Sequence, residues 1–318
     1  MTDIVVEPAS NGTQYNSVFS PDLQPVVQSS KYSNFQPAIN ARFGLRDDLI
    51  MRLAYSESIT RPPVGSLNPV VNFPTTLRPG SLSASGGNGN LQPYESANFD
   101  ASIEWYYSSQ GYVSLTFFKK DVDGLIANSV VPTDFTIANS DGISTNEISG
   151  NTATFALAQN VNLGDLTVDG FEIAALHEFT WAPGFLQNMG VTLAMTLPDS
   201  DADFDRNSFT NNSAFPGLSD SHAATLYYDD GIFEGRLAWT SRDEYFDQLI
   251  TGTEPRFVKA AEQLDARFAY NYSDKVQLFV NAVNLTDEPL ETVGRFSTQP
   301  LRYTETGPRY EFGLRAKF

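Results

Sequence analysis

The chain has 318 residues, of which 41% are hydrophobic, 13% aromatic and 18% charged, and this composition is too apolar for a disordered protein. Its formal net charge of −18 argues against a nucleic-acid partner, because nucleic-acid phosphates need lysine and arginine. The absence of cysteine excludes disulfides, thiolate metal sites and a cysteine nucleophile.

The sequence contains no candidate spanning helix and no export signal. No stretch approaches the ~18 consecutive apolar residues that a membrane-spanning helix needs. The first residues, MTDIVVEPASNGTQ, lack a basic region followed by an apolar core, so they do not form a secretory signal.

Apolar and polar residues alternate with a period of two along most of the chain, which is the signature of strands with unlike faces. In the first example, Ile39, Ala41, Phe43 and Leu45 alternate with polar or small residues. The pattern predicts eleven strands, at 39–45, 49–55, 99–107, 111–121, 171–181, 191–197, 223–228, 233–239, 264–272, 275–285 and 309–318.

Short and long connections alternate strictly between these strands. Short turns are predicted at 46–48, 108–111, 229–231 and 273–275, with a longer one through Pro183 and Gly184. The long polar segments are 61–93, 128–162, 199–217, 247–257 and 286–307. In an up-and-down arrangement, every short turn lies at one end of the strands and every long loop at the other.

These features favour a transmembrane β-barrel, in which strands present apolar residues to lipid and polar residues to the lumen. Short turns on the periplasmic side and long loops outside are typical of such barrels, and so are aromatic residues near the strand ends. A soluble β-sandwich also alternates its faces. It is the competing interpretation, but it does not explain the alternation of loop lengths.

Several motifs in order resemble the C-terminal half of a TonB-dependent outer-membrane receptor over residues 33–318. The matching segments are YSESITRPP, GNGNLQP, NFDASIEWYY, NAVNLTDEP and the terminal RYEFGLRAKF. The positions that carry the resemblance are Tyr55, Ser56, Arg61, Pro62, Gly89, Asn90, Leu91, Pro93, Asn98, Asp100, Glu104, Trp105, Tyr106, Asn284, Leu285 and Asp287.

The resemblance implies an all-β, antiparallel up-and-down transmembrane barrel, with about eleven strands that correspond to the C-terminal half of a 22-stranded barrel. Residues 1–32 are then an external loop or partial strand, and 33–318 the barrel portion. A plug domain and a TonB box, which family members carry, are not recognised in the chain. We therefore expect a fragment, from a truncated gene or from a reading frame that begins at an internal methionine; a half-barrel that assembles with a partner is the alternative.

The resemblance also implies a function and partners. The expected location is the outer membrane of a Gram-negative bacterium, and the expected role is TonB-dependent uptake of an iron–siderophore, a vitamin or an oligosaccharide. The implied partners are outer-membrane lipid, the outer-membrane assembly machinery, the nutrient ligand and, in a full-length receptor, the plug and the TonB system. A passive porin-like or structural barrel is the alternative function, and a soluble sandwich that acts as a binding module is a further one.

No enzyme constellation and no cofactor motif is recognised. The two histidines, His177 and His222, have no paired serine or carboxylate motif, and SGGNGN at 85–90 lacks the lysine of a phosphate loop. The ligand-binding residues are unknown and are expected among the long loops. The loop aromatics that are able to stack on a ligand are Phe73, Phe135, Phe204, Phe209, Phe215 and Phe296.

One acidic run is a candidate cation site. Asp199, Asp201, Asp203 and Asp205 stand at every second position, and hard cations such as Ca²⁺ take clustered carboxylates. The run lacks the glycine and the glutamate of an EF-hand. Both a solvated loop tip and a Ca²⁺ site at the base of the loop remain open.

Charges on the polar faces would be costly in lipid, at ~2–4 kcal/mol for an arginine at mid-membrane. They are expected to face a wet lumen, where they pair across strands or line a ligand path. These charges are Arg42, Arg52, Glu104, Glu172, Arg236, Asp265, Arg267, Glu311 and Arg315. In the last strand, Tyr310, Phe312 and Phe318 resemble the signal that the assembly machinery reads.

Overall fold

A computed structural model of the chain describes residues 4–8, 15–19, 28–77, 81–136, 148–149, 152–162, 164–202, 205–207, 215–251 and 254–317. These residues form strands and two short 3₁₀ helices, η1 (Val64–Leu67) and η2 (Gly184–Asn188). Within them, no helix has the length and apolar character needed to cross a bilayer.

The strands, in chain order, are β1 (Ile4–Pro8), β2 (Tyr15–Phe19), β3 (Ala38–Arg46), β4 (Leu49–Thr60), β5 (Val71–Asn72), β6 (Thr76–Leu77), β7 (Ser83–Gly86), β8 (Tyr94–Ser108), β9 (Gly111–Asp123), β10 (Ile126–Thr136), β11 (Ile148–Ser149), β12 (Thr152–Asn162), β13 (Leu166–Glu178), β14 (Met189–Ser200), β15 (Ser221–Asp229), β16 (Phe233–Arg242), β17 (Tyr245–Thr251), β18 (Glu254–Val258), β19 (Ala261–Ser273), β20 (Val276–Val283), β21 (Leu290–Val293), β22 (Pro300–Thr304) and β23 (Arg309–Ala316).

The largest sheet has eleven strands in the order β23-β20-β19-β16-β15-β14-β13-β9-β8-β4-β3. These are the eleven predicted strands, each beside its predecessor in the set, so the predicted antiparallel up-and-down arrangement is confirmed. In the described part of the chain the sheet is open, and β3 and β23 are its edges. The predicted alternation of short and long connections is confirmed as well.

Three predicted strands were too long, among them the last, because Lys317 lies beyond the end of β23 at Ala316. β13 ends at Glu178, so Phe179 and Trp181 belong to the connection to β14. β20 ends at Val283 because Asn284 has a φ of 59°, a left-handed conformation that cannot continue a strand.

The register of the sheet separates two faces. Apolar residues pair with apolar residues of the next strand, as in Phe171 with Leu197, Leu226 with Leu237 and Val280 with Phe312. This apolar face is not covered: its solvent-exposed members include Ile39, Phe43, Leu45, Phe99, Ile103, Trp105, Val113, Leu115, Phe171, Leu193, Leu226, Leu237, Phe268, Leu278, Tyr310, Phe312 and Leu314. A soluble sandwich would bury such a face against a second sheet.

The short connections are built as tight polar turns. After β15, Asp230 accepts the backbone N–H of Phe233 at 2.7 Å and of Ile232 at 2.9 Å, while the Tyr228 hydroxyl donates to its other oxygen at 2.7 Å. The bond from Phe233, followed by that from Tyr228, lowers the pKa of the Asp230 carboxyl below its ordinary value. Gly231 has a φ of 83°, which explains a glycine at this position of the turn.

The long connections are not plain loops, which corrects the prediction for segments 61–93, 128–162, 247–257 and 286–307. They contain strands that form a five-stranded sheet (β10-β12-β7-β5, with β11 beside β12) and a four-stranded sheet (β17-β18-β21-β22). β1, β2 and β6 form a further sheet. The five-stranded sheet has its own core, because Leu82, Ala84, Ala153, Phe155 and Leu157 are buried together.

The chain divides into two compact units. The first comprises Met1–Phe35, Ser58–Glu95 and Val122–Asp165, and it contains the five-stranded sheet and its core. The second comprises Gln36–Glu57, Ser96–Asp121 and Leu166–Phe318, and it contains the four-stranded sheet and most of the eleven-stranded sheet. The predicted division at residue 32 stays a prediction.

Candidate functional site

The polar face of the eleven-stranded sheet carries a charge network on β3, β4 and β8. Arg52 contacts Glu104 through two hydrogen bonds, from Nε at 2.7 Å and from Nη2 at 3.3 Å, a bidentate geometry typical of strong ion pairs. The Tyr106 hydroxyl donates to the same carboxylate at 3.0 Å. Arg42 lies directly opposite Arg52 in the register, so Glu104 offsets the repulsion of two neighbouring arginines.

A second group lies further along the same face, on β16, β19, β20 and β23. Arg236 and Arg267 are opposite each other in the register. Arg267 donates to the Asn281 side chain at 3.1 Å, and Asn281 donates to Glu311 at 2.9 Å. Together with Arg309 and Asp265, these residues line a shallow depression of about 270 Å³.

The predicted pairing of inward charges is therefore incomplete. Within the described residues, Arg42, Arg236 and Arg315 have no carboxylate within 4.0 Å, whereas Arg52 has one. The polar face offers unpaired guanidinium groups in a chain of net charge −18. Such groups suit an acidic or hydroxyl-rich partner.

One aromatic side chain lies on this polar face for a local reason. The ring of Phe279 lies over Gly313, at the place where a side chain of residue 313 would stand. The guanidinium of Arg267 lies 5.2 Å from the centre of the same ring. This contact explains why glycine interrupts the charged face of the last strand.

In the first unit, asparagines join two of the long connections. The Asn88 side chain donates to the Asn160 carbonyl at 3.1 Å, and the Asn160 side chain donates to the Ser66 hydroxyl at 2.8 Å. Asn162 accepts the Gln92 N–H at 3.0 Å and donates to the Gln92 carbonyl at 2.9 Å. The GNGNLQP motif is thus a structural junction between segments 61–93 and 128–162.

In the second unit, arginines join three further connections around the four-stranded sheet. Arg295 is 2% exposed and donates to the Arg206 carbonyl at 2.7 Å. The Arg206 guanidinium stacks 3.6 Å from the centre of the Phe257 ring and pairs with Glu244. Segments 199–217, 247–257 and 286–307 therefore meet at one junction, which nothing in the spacing of these residues could have predicted.

The NLTD motif forms the turn after β20. The buried Asn284 accepts the Glu288 N–H at 2.8 Å and donates to the Glu288 carbonyl at 3.0 Å. Its own N–H donates to Asp265 at 2.8 Å, and Asp287 shares its left-handed conformation with a φ of 54°. Asparagine and aspartate tolerate this conformation, so the motif is a turn signal.

The predicted ligand-stacking aromatics divide into three groups. Phe73 and Phe135 pack edge to face with each other, with ring centres 5.0 Å apart, and both pack against the buried Phe155. They serve the core of the five-stranded sheet, so the structure does not present them to a ligand. Phe215 and Phe296 are exposed, whereas Phe204 and Phe209 lie outside the described residues.

The acidic run does not converge where the structure describes it. Asp201 accepts the Thr167 N–H at 2.8 Å, Asp205 accepts the Asn207 N–H at 2.8 Å, and Asp199 accepts the N–H of the next residue. Asp203 lies outside the described residues. Among those that are described, no three acidic or histidine side chains are placed to hold a metal ion. The Ca²⁺ site stays a prediction.

The two histidines, and Tyr310 and Phe312 of the last strand, lie on the apolar face. His177 pairs with Val191 and His222 with Met195 in the register. Tyr310 and Phe312 are 58% and 75% exposed, while Phe318 lies outside the described residues. The role of Tyr310, Phe312 and Phe318 as an assembly signal stays a prediction.

A family profile described as TonB dependent receptor-like, beta-barrel matches residues 10–285. No curated protein matches the chain. The fold is similar to the siderophore receptor PirA from Acinetobacter baumannii, with a TM-score of 0.64 and 17% identity over 96% of this chain and 43% of that one.

Two further solved structures share the fold. A mutant of the ferric enterobactin receptor PfeA from Pseudomonas aeruginosa has a TM-score of 0.62 and 17% identity over 90% of this chain and 40% of its own. The FpvAI–pyocin S2 complex has a TM-score of 0.57 and 15% identity, over 96% of this chain and 36% of the other. The chain thus spans less than half the length of each of these structures.

Proposed function

The chain belongs to the family of TonB-dependent receptor-like β-barrels, and from this membership we propose that it is part of an outer-membrane receptor for uptake of a scarce nutrient. The observation that carries the proposal is the two-faced sheet of eleven antiparallel strands, with an exposed apolar face and a charged polar face. Family members are transport receptors, so we propose no enzymatic activity.

The exposed apolar face supports insertion into the outer membrane of a Gram-negative bacterium. Apolar surface is stabilised by roughly 25 cal/mol per Å² when it leaves water, and soluble proteins rarely expose patches beyond a few hundred Å². Lipid is the partner that covers such a face on every strand at once. Delivery to the membrane then requires the outer-membrane assembly machinery.

The polar face supports a partner inside the barrel. Arg42, Arg236 and Arg315 present guanidinium groups without a carboxylate neighbour among the described residues. We propose that the plug domain of a full-length receptor offers acidic and hydroxyl groups to this wall. Energy for uptake would then pass from the TonB system through the plug, as the family membership implies.

An iron–siderophore is the ligand class we favour over a vitamin or an oligosaccharide. PirA is described as a siderophore receptor and PfeA as a ferric enterobactin receptor, and both share the fold at low identity. We propose the long connections of the second unit, which meet at the Arg206–Arg295 junction, as a ligand-binding surface, and those of the first unit, which meet at the GNGNLQP motif, as a separate one. Phe215, Phe296 and Tyr303 are exposed aromatic groups among the described residues of the second unit's connections.

The membrane part of the proposal is tested by folding. The full chain, refolded in detergent, should migrate faster on a gel before heating than after heating, and it should fractionate with outer membranes in cells. A chain that is monodisperse in plain buffer without detergent would overturn the proposal and favour a soluble binding module.

The ligand part is tested by binding and uptake with ferric enterobactin as the probe. We expect the full chain in detergent to bind the probe, and Phe296→Ala to bind it more weakly. Ile232→Ala is the control, because Ile232 is also exposed and apolar but lies on the short connection between β15 and β16. Equal binding by both variants and the unchanged chain would exclude Phe296 from the ligand surface.

Dependence on TonB separates an energised receptor from a passive barrel. The chain is expressed together with the plug-bearing portion of a receptor, in a strain without its own enterobactin receptor. Uptake of iron-labelled enterobactin should require a functional TonB system. Equal uptake in the absence of TonB would favour the porin-like alternative.

A further inference from the structure

The connection between β13 and β14 differs from the other short connections. Those at 47–48, 109–110, 230–232 and 274–275 contain two or three residues and are mostly polar or charged. The β13–β14 connection contains ten residues, FTWAPGFLQN, none of them charged. A turn that only reverses the chain needs neither this length nor this composition.

The connection is held against the apolar face by an aromatic network. The Trp181 indole N–H donates to Nε2 of His177 at 3.1 Å. His177 lies on the apolar face, and its Nδ1 is 2.9 Å from the Tyr107 hydroxyl. The rings of Tyr107 and Phe179 are 5.8 Å and 5.4 Å from the His177 ring. Trp181 therefore continues the apolar face of the sheet.

Large apolar side chains of this connection face solvent. Trp181 is 76% exposed, Phe185 67% and Leu186 39%. Pro183 and Gly184 begin the 3₁₀ turn η2, and Gly184 has a φ of 66°, so the local backbone is a defined turn. Three large apolar side chains are therefore exposed here instead of being packed into the protein's own core.

We propose that the β13–β14 connection is a lipid anchor, which inserts Trp181, Phe185 and Leu186 at the boundary between the headgroups and the acyl chains of the leaflet next to the short turns. The absence of charge and the continuity with the apolar face favour lipid over a protein partner. Tryptophan suits this boundary because its ring is apolar while its N–H keeps a polar partner. This inference rests on the proposed membrane location and adds a specific contact to it.

The experiment uses tryptophan fluorescence, because the chain has only three tryptophans. Trp105→Phe with Trp239→Phe leaves Trp181 as the sole reporter, and Trp105→Phe with Trp181→Phe leaves Trp239. Trp239 lies on the apolar face opposite Leu264, six residues along β16 from Phe233, or ~20 Å along the strand at ~3.3 Å per residue. Both variants of the full chain are reconstituted in phosphatidylcholine vesicles, with lipids brominated at shallow or deep acyl positions.

We expect the Trp181 reporter to emit at a shorter wavelength than tryptophan in water, to be quenched more by shallow than by deep bromines, and to resist aqueous iodide. The Trp239 reporter should be quenched more by the deeper bromines. If Trp239 is quenched by lipid while Trp181 emits as in water and is open to iodide, the anchor is overturned and the membrane proposal stands. If lipid quenches neither reporter, both fail.

If this site binds a protein partner instead of lipid, Trp181 remains in water until the partner is added. This is the outcome that overturns the anchor. Should the double replacement fail to fold, Trp181→Phe alone provides the second measurement. The Trp181 signal is then the difference in quenching by shallow bromines between the unchanged chain and this variant. If shallow bromines quench this variant as much as the unchanged chain, the anchor is likewise overturned.

Discussion

At the scale of single residues, glycine decides where an aromatic ring lies on the polar face. Phe279 lies over Gly313 on the neighbouring strand, and in a similar way the Tyr227 ring lies where a side chain of Gly190 would stand. Both pairs are cross-strand neighbours in the register. The glycines leave room for aromatic rings on a face whose other residues are charged or polar.

Gly313→Ala should therefore destabilise the sheet. The added methyl group would overlap the Phe279 ring, and overpacking of this kind costs about 1–3 kcal/mol. Gly44→Ala is the matched control, because Gly44 also lies in an edge strand and a Cβ there meets nothing within 4 Å. The midpoint of denaturant unfolding in detergent is the measurement. Equal midpoints for the two variants would contradict the contact.

Glu104 pairs with Arg52, which lies opposite a second arginine, Arg42, in the register. Glu104→Gln removes the partner of Arg52 and leaves Arg52 opposite Arg42. We expect the free energy of unfolding to fall by about 1 kcal/mol, because an exposed ion pair is lost and a like-charge cross-strand pair remains. Glu172→Gln on the same face is the control, since Glu172 has no cation within 4.0 Å among the described residues. The difference in unfolding midpoint should shrink in high salt. A difference that is independent of salt would point to packing as its cause.

At the scale of elements, the conformation of the turn after β20 depends on one asparagine. Asn284→Gly keeps the left-handed backbone but loses the side-chain bonds to Glu288, at a cost of about 1–3 kcal/mol. Asn284→Ala loses the same bonds and adds about 1–2 kcal/mol of backbone strain at a φ of 59°. The order of unfolding midpoints should be unchanged chain, glycine variant, alanine variant. If alanine equals glycine, the backbone conformation is not the constraint.

β12 shows that a long connection has a core of its own. Phe155 is fully buried and contacts both Phe73 and Phe135, so Phe155→Ala should cost about 3–5 kcal/mol of local stability. Val130→Ala on β10 is the control, because Val130 is 41% exposed. Hydrogen exchange of β7, β10 and β12 should accelerate in the first variant alone. Unchanged exchange in both variants would show that the five-stranded sheet does not depend on this cluster.

The same elements show what the sequence was able to predict. The eleven strands of the large sheet could be predicted because each has one apolar and one polar face, in most strands over seven or more residues. Lipid on one side and the lumen on the other impose this pattern. β12 carries a similar signal, since Ala153, Phe155 and Leu157 are buried and the residues between them exposed, but its small and polar residues made it read as part of a loop. The Arg206–Arg295 junction left no such signal, because the two residues are far apart in sequence and each donates to the backbone carbonyl of the other.

At the scale of the whole molecule, the number of strands restricts how the sheet can be closed. Neighbouring strands are antiparallel, and the sheet has eleven of them, so the edges β3 and β23 run in the same direction. Antiparallel closure therefore needs an odd number of further strands. A second copy in the same membrane orientation would bring its β3 parallel to β23, whereas β23 pairs antiparallel with a second β23 only when one copy is inverted across the membrane.

Disulfide formation tests this restriction, because the chain has no cysteine of its own. Phe312→Cys places a thiol on the edge strand β23, and Val280→Cys combined with it places a second thiol opposite in the register. In cells, all copies insert in one orientation, so we expect the double variant to form an intrachain disulfide and the single variant to form few dimers. In detergent, where orientation is not fixed, dimers of the single variant should increase. Abundant dimers in the outer membrane would contradict the argument from strand direction, and they would show that β23 of one copy contacts β23 of another there.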